Sequence, residues 1–164
     1  MCQRHIDSCT HPFDKTRPPH GDHQVTHRMS EDSLSLVLFS GTADKLHAAA
    51  TLAAGAAALG RPVTVLLQYW ALDAFRADRI EDNRNLAWDA TVDGASRPVK
   101  GTVQIPWLET FRMAKELGEM TILACSGSLD VLGIDAATLD PLVDSSGGIA
   151  TFLLAAEGGQ ILFI

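Results

Sequence analysis

The chain has 164 residues, of which 46% are hydrophobic and 20% are charged, an ordinary mixture for one globular domain with a hydrophobic core. Its 13 Lys and Arg residues are outnumbered by 20 Asp and Glu residues, which gives a formal net charge of -7. This balance argues against nucleic acid or an anionic membrane as the main partner, because both attract clusters of basic residues.

Residues 1–33 differ in composition from the rest of the chain. They contain five of the six histidines, three prolines and almost no Val, Leu or Ile. Such a segment cannot bury enough apolar surface to offset the entropy lost on ordering, so we expect a flexible His-rich tail followed by one domain over residues 34–164. The spacing of Cys2, Cys9 and the tail histidines matches no zinc-binding pattern, and no metal or cofactor is expected.

Two further properties bear on the location of the protein. The tail has no apolar segment of the signal-peptide type, and the longest low-polarity run, residues 48–60, is too short to span a bilayer. The three cysteines do not form a disulfide framework, which favours a reducing compartment. The sequence therefore predicts a cytoplasmic protein with no transmembrane segment.

The predicted elements alternate between strands and helices along the domain. Apolar runs of strand length occur at residues 34–39, 63–67, 120–124 and 160–164, the last predicted as a core strand. Helical patterns occur at residues 44–59, 74–79, 106–117, 126–132 and 149–157, and residues 73–101 otherwise have the composition of an irregular loop. This alternation favours right-handed crossovers, and it predicts one three-layer α/β/α domain with a mainly parallel sheet of four or five strands.

The segment ILACSGSLDVLGI, residues 122–134, contains the one cysteine of the predicted domain. In open parallel sheets, ligands collect beyond the carboxyl ends of the strands, and Cys125 lies at such an end. If the next helix begins at Ser126 or Ser128, its amide groups and dipole would favour the thiolate that a nucleophile requires. A buried packing role is equally consistent with the sequence, because free cysteine is among the most buried residue types.

The residues around Cys125 argue against several known classes of cysteine enzyme. Val131 stands where a cysteine phosphatase loop needs arginine, no second cysteine forms a CxxC pair, and neither GxxxxGK[ST] nor GxGxxG is present. The domain contains one histidine, His47 on the first predicted helix, which gives little support to a Cys–His hydrolase. A thiol without base, metal or cofactor is suited to exchange at sulfur, and thus to sulfur transfer or to redox sensing through a sulfenic acid.

Three segments resemble the DsrE/DsrF-like family of the DsrEFH superfamily, in particular its peroxiredoxin-like DsrE branch. They are FSGTADKLHAAATLAAGAAALGRPVTVLLQYWAL at residues 39–72, the cysteine segment at residues 122–134, and SSGGIATFLLAAEGGQILFI at residues 145–164. The resemblance implies a sulfurtransferase-like carrier in which Cys125 accepts and donates sulfane sulfur or a thiosulfonate group through a persulfide-type adduct. It also implies a homo-oligomer built from trimers, with a TusA-like carrier or a rhodanese as partner.

The chain departs from the family pattern in two ways. Ser126, Gly127 and Ser128 replace the Met-rich residues that follow the cysteine in many relatives, and the domain lacks the second cysteine that some relatives have. Neither departure removes the single thiol that a carrier needs.

The loops after the first two predicted strands converge on the edge where Cys125 lies. Together with the residues that follow the cysteine, they supply the predicted substrate-binding residues, which are Gly41, Thr42, Asp44, Tyr69, Trp70, Ser126, Gly127 and Ser128. Each has a structural alternative: helix capping for the aspartate and the serines, and edge packing or an oligomer contact for the two aromatics. The alternatives for the whole protein are a non-catalytic oligomeric binding or scaffold protein with a buried cysteine, and a thiol redox sensor.

Overall fold

The computed structural model describes residues 32–87, 91–92, 95–96 and 106–164. The predictions of a flexible tail and of no metal site in it concern residues outside this range, apart from Asp32 and Ser33. No helix in the described part of the chain is long and apolar enough to cross a membrane.

The main sheet has five strands, all parallel, in the order β6-β5-β2-β1-β7. In chain order, the strands within the described residues are β1 (Leu34–Leu38), β2 (Val63–Leu67), β3 (Thr91–Val92), β4 (Ala95–Ser96), β5 (Met120–Cys125), β6 (Ser145–Gly147) and β7 (Gln160–Phe163). The pair β3–β4 forms a separate antiparallel ladder. The predicted α/β fold with a parallel sheet is confirmed.

Helices connect these strands. Those described are α1 (Ala43–Ala58), α2 (Tyr69–Ala74), α3 (Trp107–Leu117), α4 (Ser126–Leu132) and α5 (Ile149–Ala155), with 3-10 turns at Ile80–Asp82 and Ala136–Thr138. The chain moves in one direction across the sheet from β1 through β2 and β5 to β6, and α5 then crosses back to place β7 beside β1.

The first face of the sheet carries the larger core. Leu36, Val65 and Ile122 lie on this face at 0% exposure and pack with buried residues of α1, α2 and α3. Buried alanines of α1, such as Ala49 and Ala53, leave room for the helix to lie close to the sheet. This face is therefore well covered.

The second face has a much smaller core. Its buried apolar cluster consists of Val37, Leu66, Leu123, Cys125 and Phe152. Phe152 is contributed by α5, a helix of seven residues. The predicted three layers are present, but the layer on the second face is thin across the described residues.

One predicted helix is wrong, and three strands of the structure were not predicted. The helix predicted over residues 74–79 is wrong: α2 spans Tyr69–Ala74, because Ala71, Leu72 and Ala74 are buried against the first-face core. The strand β6 was not predicted, because its sequence SSG is polar and exposed at a sheet edge. Likewise, β3 and β4 lie within residues predicted as an irregular loop.

The final strand was predicted as a core strand, and this is also wrong. Strand β7 lies at the edge of the sheet, and all four of its residues are exposed. Its apolar sequence resembles that of a buried strand, but it has a single neighbour, β1.

Candidate functional site

Cys125 ends the strand β5 and is the N-cap residue of α4, which begins at Ser126 as predicted. It is a free cysteine whose side chain lies on the second face with 8% exposure. The residues that pack with it are Val37, Leu66, Leu123 and Phe152. The thiol thus lies at the carboxyl edge of the sheet, with most of its surface covered by apolar side chains.

Gln68 reaches this thiol from the neighbouring strand. Leu67 at the end of β2 is in register with Ala124 of β5, so the next residues, Gln68 and Cys125, lie beside each other at the edge. The Gln68 side-chain amide donates through Nε2 to the Sγ of Cys125 at 3.9 Å. Sequence reasoning did not include Gln68 in the site, although its place directly after an apolar strand was a usable signal.

Tyr69 holds the turn that follows Gln68. It is the one non-glycine residue with positive φ among the described residues, at 44°, a conformation that is unusual for a bulky side chain. Its ring packs on Phe39 with a centroid separation of 5.1 Å, and Phe39 packs on Phe163 at 6.0 Å. Tyr69 therefore lies in an aromatic row along the sheet edge and shapes the backbone that presents Gln68.

The three residues after the cysteine have different environments. Ser126 and Gly127 are exposed, whereas Ser128 is buried at 3% exposure. A Cβ atom added at Gly127 would meet nothing within 4 Å, and one added at Gly148 would lie 3.9 Å from the Ser126 Oγ. Ser126 and Gly127 thus lie at the open surface next to Cys125, while Ser128 is part of the packed interior.

The predicted residues of the first loop lie in a different place. Gly41, Thr42 and Trp70 line a cleft of about 490 Å³ together with charged residues of the segment after α2, and Cys125 is not part of its lining. Gly41, Thr42 and Trp70 therefore lie in a cleft separate from the thiol, whereas Ser126 and Gly127 lie beside it.

This cleft has a largely acidic wall. Asp73, Asp78 and Asp82 line it beside Arg79. Asp73 pairs with Arg79, and Asp78 accepts hydrogen bonds from Nε and Nη2 of Arg76, each at 3.0 Å. These exposed pairs position the loop more than they stabilise the fold, since surface ion pairs contribute about 0–1 kcal/mol.

Gly41 has a structural role in this cleft. A Cβ atom at this position would lie 2.1 Å from the backbone oxygen of Trp70. The Gly41 carbonyl accepts a hydrogen bond from Asn83 Nδ2 at 2.8 Å. The absence of a side chain thus permits the close approach of α2 to the loop after β1.

Asp44 caps the first turn of α1. Its Oδ1 accepts a hydrogen bond from the Ala87 amide at 3.1 Å. Burial acts to raise the Asp44 pKa, but hydrogen bonds from the Thr42 side chain and from the amides of Ala87, Asp44 and Lys45 outweigh it and hold the pKa below its ordinary value. Thr42 is the N-cap residue but makes no side-chain cap to the helix. The geometry favours the structural alternative for Asp44.

A catalytic base for Cys125 is absent from the described neighbourhood. His47 lies on α1, which packs on the first face, whereas Cys125 lies on the second. The described residues also contain no group of three or more His, Cys, Asp or Glu side chains that could hold a metal ion. The arrangement at Cys125 is a single thiol with one amide donor.

Comparisons with known proteins add the family context. The model of the DsrE/DsrF/DrsH-like family matches residues 30–103, a span that includes β1, α1, β2 and α2 and ends before Cys125. The uncharacterized protein YrkE of Bacillus subtilis (strain 168) is 27% identical over 154 residues, with 79% of this chain and 95% of that protein covered.

Two solved structures are similar to this chain. The protein of unknown function MTH1491 from Methanobacterium thermoautotrophicum superimposes with a TM-score of 0.55 and 12% identity, covering 80% of this chain and 98% of that protein. The ychN protein from E. coli gives a TM-score of 0.47 at 18% identity, with 80% and 98% covered. The family-model match over residues 30–103 makes this part of the chain similar to DsrE/DsrF/DrsH-like proteins, and the solved structure of MTH1491 shares its fold.

Proposed function

We propose that this protein is a sulfur-relay carrier in which Cys125 accepts and donates sulfane sulfur or a thiosulfonate group. Similarity to the DsrE/DsrF/DrsH-like family suggests a function of the sulfur-relay type. The observation that carries the proposal is the position of Cys125: it ends a central parallel strand beside α4, and the Gln68 amide lies 3.9 Å from its sulfur. Ligand sites of open α/β sheets lie at this edge.

The proposed step is an exchange between sulfur atoms. The Cys125 thiolate attacks the outer sulfur of a donor persulfide, a new S–S bond forms at Cys125, and the donor S–S bond breaks to release the donor as a thiolate. With tetrathionate as donor, attack on a central sulfur leaves a thiosulfonate-capped disulfide on Cys125 and releases thiosulfate. An acceptor thiolate then takes the outer sulfur group and regenerates Cys125, so no external oxidant or reductant is needed.

The residues around the thiol fit an anionic adduct. Gln68 Nε2 is a hydrogen-bond donor, and bonds from donors to charged acceptors are stronger than those to neutral ones. Gly127 has open space at its Cα, and Ser126 and Gly127 are exposed beside the cysteine. These features support growth of the sulfur chain outward from the edge of the sheet.

The proposed exchange also requires a partner thiol and a compartment that keeps Cys125 reduced. A TusA-like carrier or a rhodanese is the class of partner that the family resemblance implies, and transfer to such a partner would make the protein a sulfurtransferase. A reducing, cytoplasmic setting would keep Cys125 reduced between transfers. No resident cofactor is needed for the exchange.

One observation favours a second candidate, a binding or scaffold protein with an inert cysteine. Cys125 is only 8% exposed and packs with Leu123 and Phe152 in the second-face cluster. Buried cysteines with such neighbours commonly serve as small apolar residues. Reactivity of the folded protein separates the two candidates.

The test is intact mass spectrometry of the folded full chain after incubation with tetrathionate or with a small-molecule persulfide. The matched variants are Cys125→Ser and the double variant Cys2→Ser/Cys9→Ser. We expect the double variant, in which Cys125 is the one remaining cysteine, to gain an adduct that dithiothreitol removes, and we expect Cys125→Ser to gain one adduct fewer than the unaltered chain. Modification confined to Cys2 and Cys9 would favour the protein with an inert cysteine. A Cys125 that forms a sulfenic acid on separate treatment with hydrogen peroxide, but forms no sulfur adduct, would favour the redox sensor.

A further inference from the structure

The cleft beside Trp70 is a concave surface at the carboxyl edge of the sheet, and Cys125 is not part of its lining. Its volume of about 490 Å³ lies within the range of about 300–1,000 Å³ that is typical of small-molecule sites. The loop after β1 forms part of the lining, and β1 is the strand at which the order reverses, with β2 on one side and β7 on the other. Ligands of open α/β sheets bind beyond the carboxyl ends of strands at such a reversal. The cleft therefore has the size and the position of a ligand site.

Hydrogen bonds fix the wall of the cleft that residues 83–85 form. The Ala43 amide donates to the Asn85 carbonyl at 2.6 Å, and the Trp107 indole Nε1 donates to the Asn83 carbonyl at 3.2 Å. The Asn83 side-chain amide donates in turn to the Gly41 carbonyl at 2.8 Å. These bonds connect the wall to the loop after β1 and to α3. The cleft is therefore preformed, as small-molecule sites usually are.

Trp70 contributes an open aromatic surface to the cleft. Its side chain is 58% exposed, whereas the next two residues of α2, Ala71 and Leu72, are fully buried and anchor the helix. In the part of the chain that the structure describes, no other ring and no cationic side chain packs on the Trp70 indole. An indole ring binds flat apolar groups by stacking and cations through its negative face. Trp70 is therefore free to contact a ligand.

The charges of the cleft do not cancel. Asp73 and Asp78 are paired with Arg76 and Arg79, so these four side chains have no net charge. Asp82 also lines the cleft, and its carboxylate makes no ion pair or hydrogen bond with any described residue. One uncompensated negative charge thus lies in the same cleft as the exposed indole.

An anionic ligand does not fit this lining. The amides of Asp44 and Lys45, at the start of α1, already donate to the Asp44 carboxylate, and the Ala43 amide is bound by Asn85. A helix N-terminus needs free amides to bind an anion. Arg79, the cationic residue of the described lining, is paired with Asp73. The groups that would hold a negative charge are therefore occupied.

We propose that this cleft binds a small organic cation, with an ammonium group over the Trp70 indole and the Asp82 carboxylate balancing its charge. Among aromatic side chains, tryptophan attracts cations most strongly. Asn85 is exposed in the same lining, and its side-chain amide makes no hydrogen bond to a described residue, so it can bind a hydroxyl or carbonyl group of the ligand. This binding goes beyond the proposed sulfur relay and does not involve the thiol.

The test is saturation-transfer difference NMR on the folded full chain, with choline as the probe at millimolar concentrations and fixed ionic strength. The matched probe is the neutral alcohol in which a carbon atom replaces the choline nitrogen, because it has nearly the same shape but no charge. We expect choline to bind saturably and the neutral alcohol to bind roughly 5-fold more weakly or not at all, because it lacks the cation that the indole and Asp82 attract.

Three variants locate the binding. We expect Trp70→Leu to weaken choline binding roughly 5-fold or more, and Asp82→Asn to weaken it roughly 3-fold. Asp130→Asn is the matched control, because it removes one exposed carboxylate on α4, away from the cleft lining, and we expect it to bind choline normally. Circular dichroism verifies that each variant is folded, and Asp82→Asn, at an exposed position, decides the matter if Trp70→Leu does not fold.

Saturable choline binding that the neutral alcohol does not match, and that the folded cleft variants weaken while Asp130→Asn does not, supports the proposal. Equal binding of both probes, no choline binding by the unaltered chain, or normal choline binding by the folded cleft variants overturns it. Cys125→Ser should bind choline as the unaltered chain does. The outcome is therefore independent of whether the thiol forms a sulfur adduct.

Discussion

Gln68 and Cys125 are 57 positions apart in the chain, yet their side chains meet at one edge of the sheet. Adjacent parallel strands bring them together, and the unusual backbone of Tyr69 follows directly after Gln68. Non-glycine residues with positive φ cost of order 1 kcal/mol or more and persist where surrounding contacts hold them. At the residue scale, the turn at Gln68 and Tyr69 is the backbone feature that places a hydrogen-bond donor beside the Cys125 thiol.

Replacement of Gln68 tests its contribution to the adduct. We expect Gln68→Leu to form the tetrathionate adduct roughly 5-fold more slowly, because one hydrogen bond of about 1 kcal/mol that stabilises the attacking Cys125 thiolate is lost. We expect Gln68→Glu to be slower still, because a carboxylate repels that charge. The measurement is the rate of adduct formation by mass spectrometry at fixed pH. Rates equal to that of the unaltered chain would remove Gln68 from the site.

Asp44 gives a prediction on stability and pH. Its pKa in the folded protein is below the ordinary value of 3.8, so its stabilisation is fully present above that value and declines as pH falls through the lower folded pKa. We expect Asp44→Asn to lower the unfolding free energy by about 0.5–1 kcal/mol at pH 7, and the difference to shrink below about pH 4. Urea unfolding measures both, with Asp130→Asn on the exposed part of α4 as control. A difference that is constant down to pH 2.5 would contradict this account.

At the element scale, the close approach of α2 to the loop after β1 shapes the cleft beside Trp70. The Ala71 amide donates to the Phe39 carbonyl at 3.1 Å, and the Gln68 amide donates to the Leu38 carbonyl at 2.8 Å. These bonds tie the start of α2 to the end of β1. The contact leaves no room for a side chain at Gly41.

Two glycine substitutions test this packing against intrinsic helix preference. We expect Gly41→Ala to destabilise the protein by about 1–3 kcal/mol, because the added Cβ would overlap the Trp70 carbonyl. We expect Gly55→Ala within α1 to stabilise it by about 0.5–1 kcal/mol, because alanine is the better helix former and a Cβ there meets nothing within 4 Å. Chemical unfolding of both variants gives the comparison. Equal effects would show that the approach of α2 is not tight.

At the scale of the whole molecule, the two faces of the sheet are covered unequally. The first face packs against several helices, whereas α5 is the one described helix that contributes to the second-face core. Cys125 belongs to this second face, together with exposed apolar residues of α5 and β7 such as Leu153 and Phe163. The unequal cover explains why a strand as apolar as β7 remains exposed in a single chain.

Most of the local elements could be predicted from the sequence alone. Apolar runs without alternation predicted buried parallel strands, and the change from β5 to α4 at Cys125–Ser126 was placed correctly, because strand and helix periods and small capping residues act over a few positions. The family resemblance was likewise contained in short segments.

The neighbours of each element were decided by the tertiary structure. Strand order placed β7 at an edge, register brought Gln68 to Cys125, and the path of α2 separated Gly41, Thr42 and Trp70 from the thiol. A periodic pattern states which positions are apolar but not which distant segment covers them, since that depends on pairing between strands far apart in the chain. For this reason Cys125 could be proposed as the site residue from the sequence, whereas the Gln68 amide beside it could not.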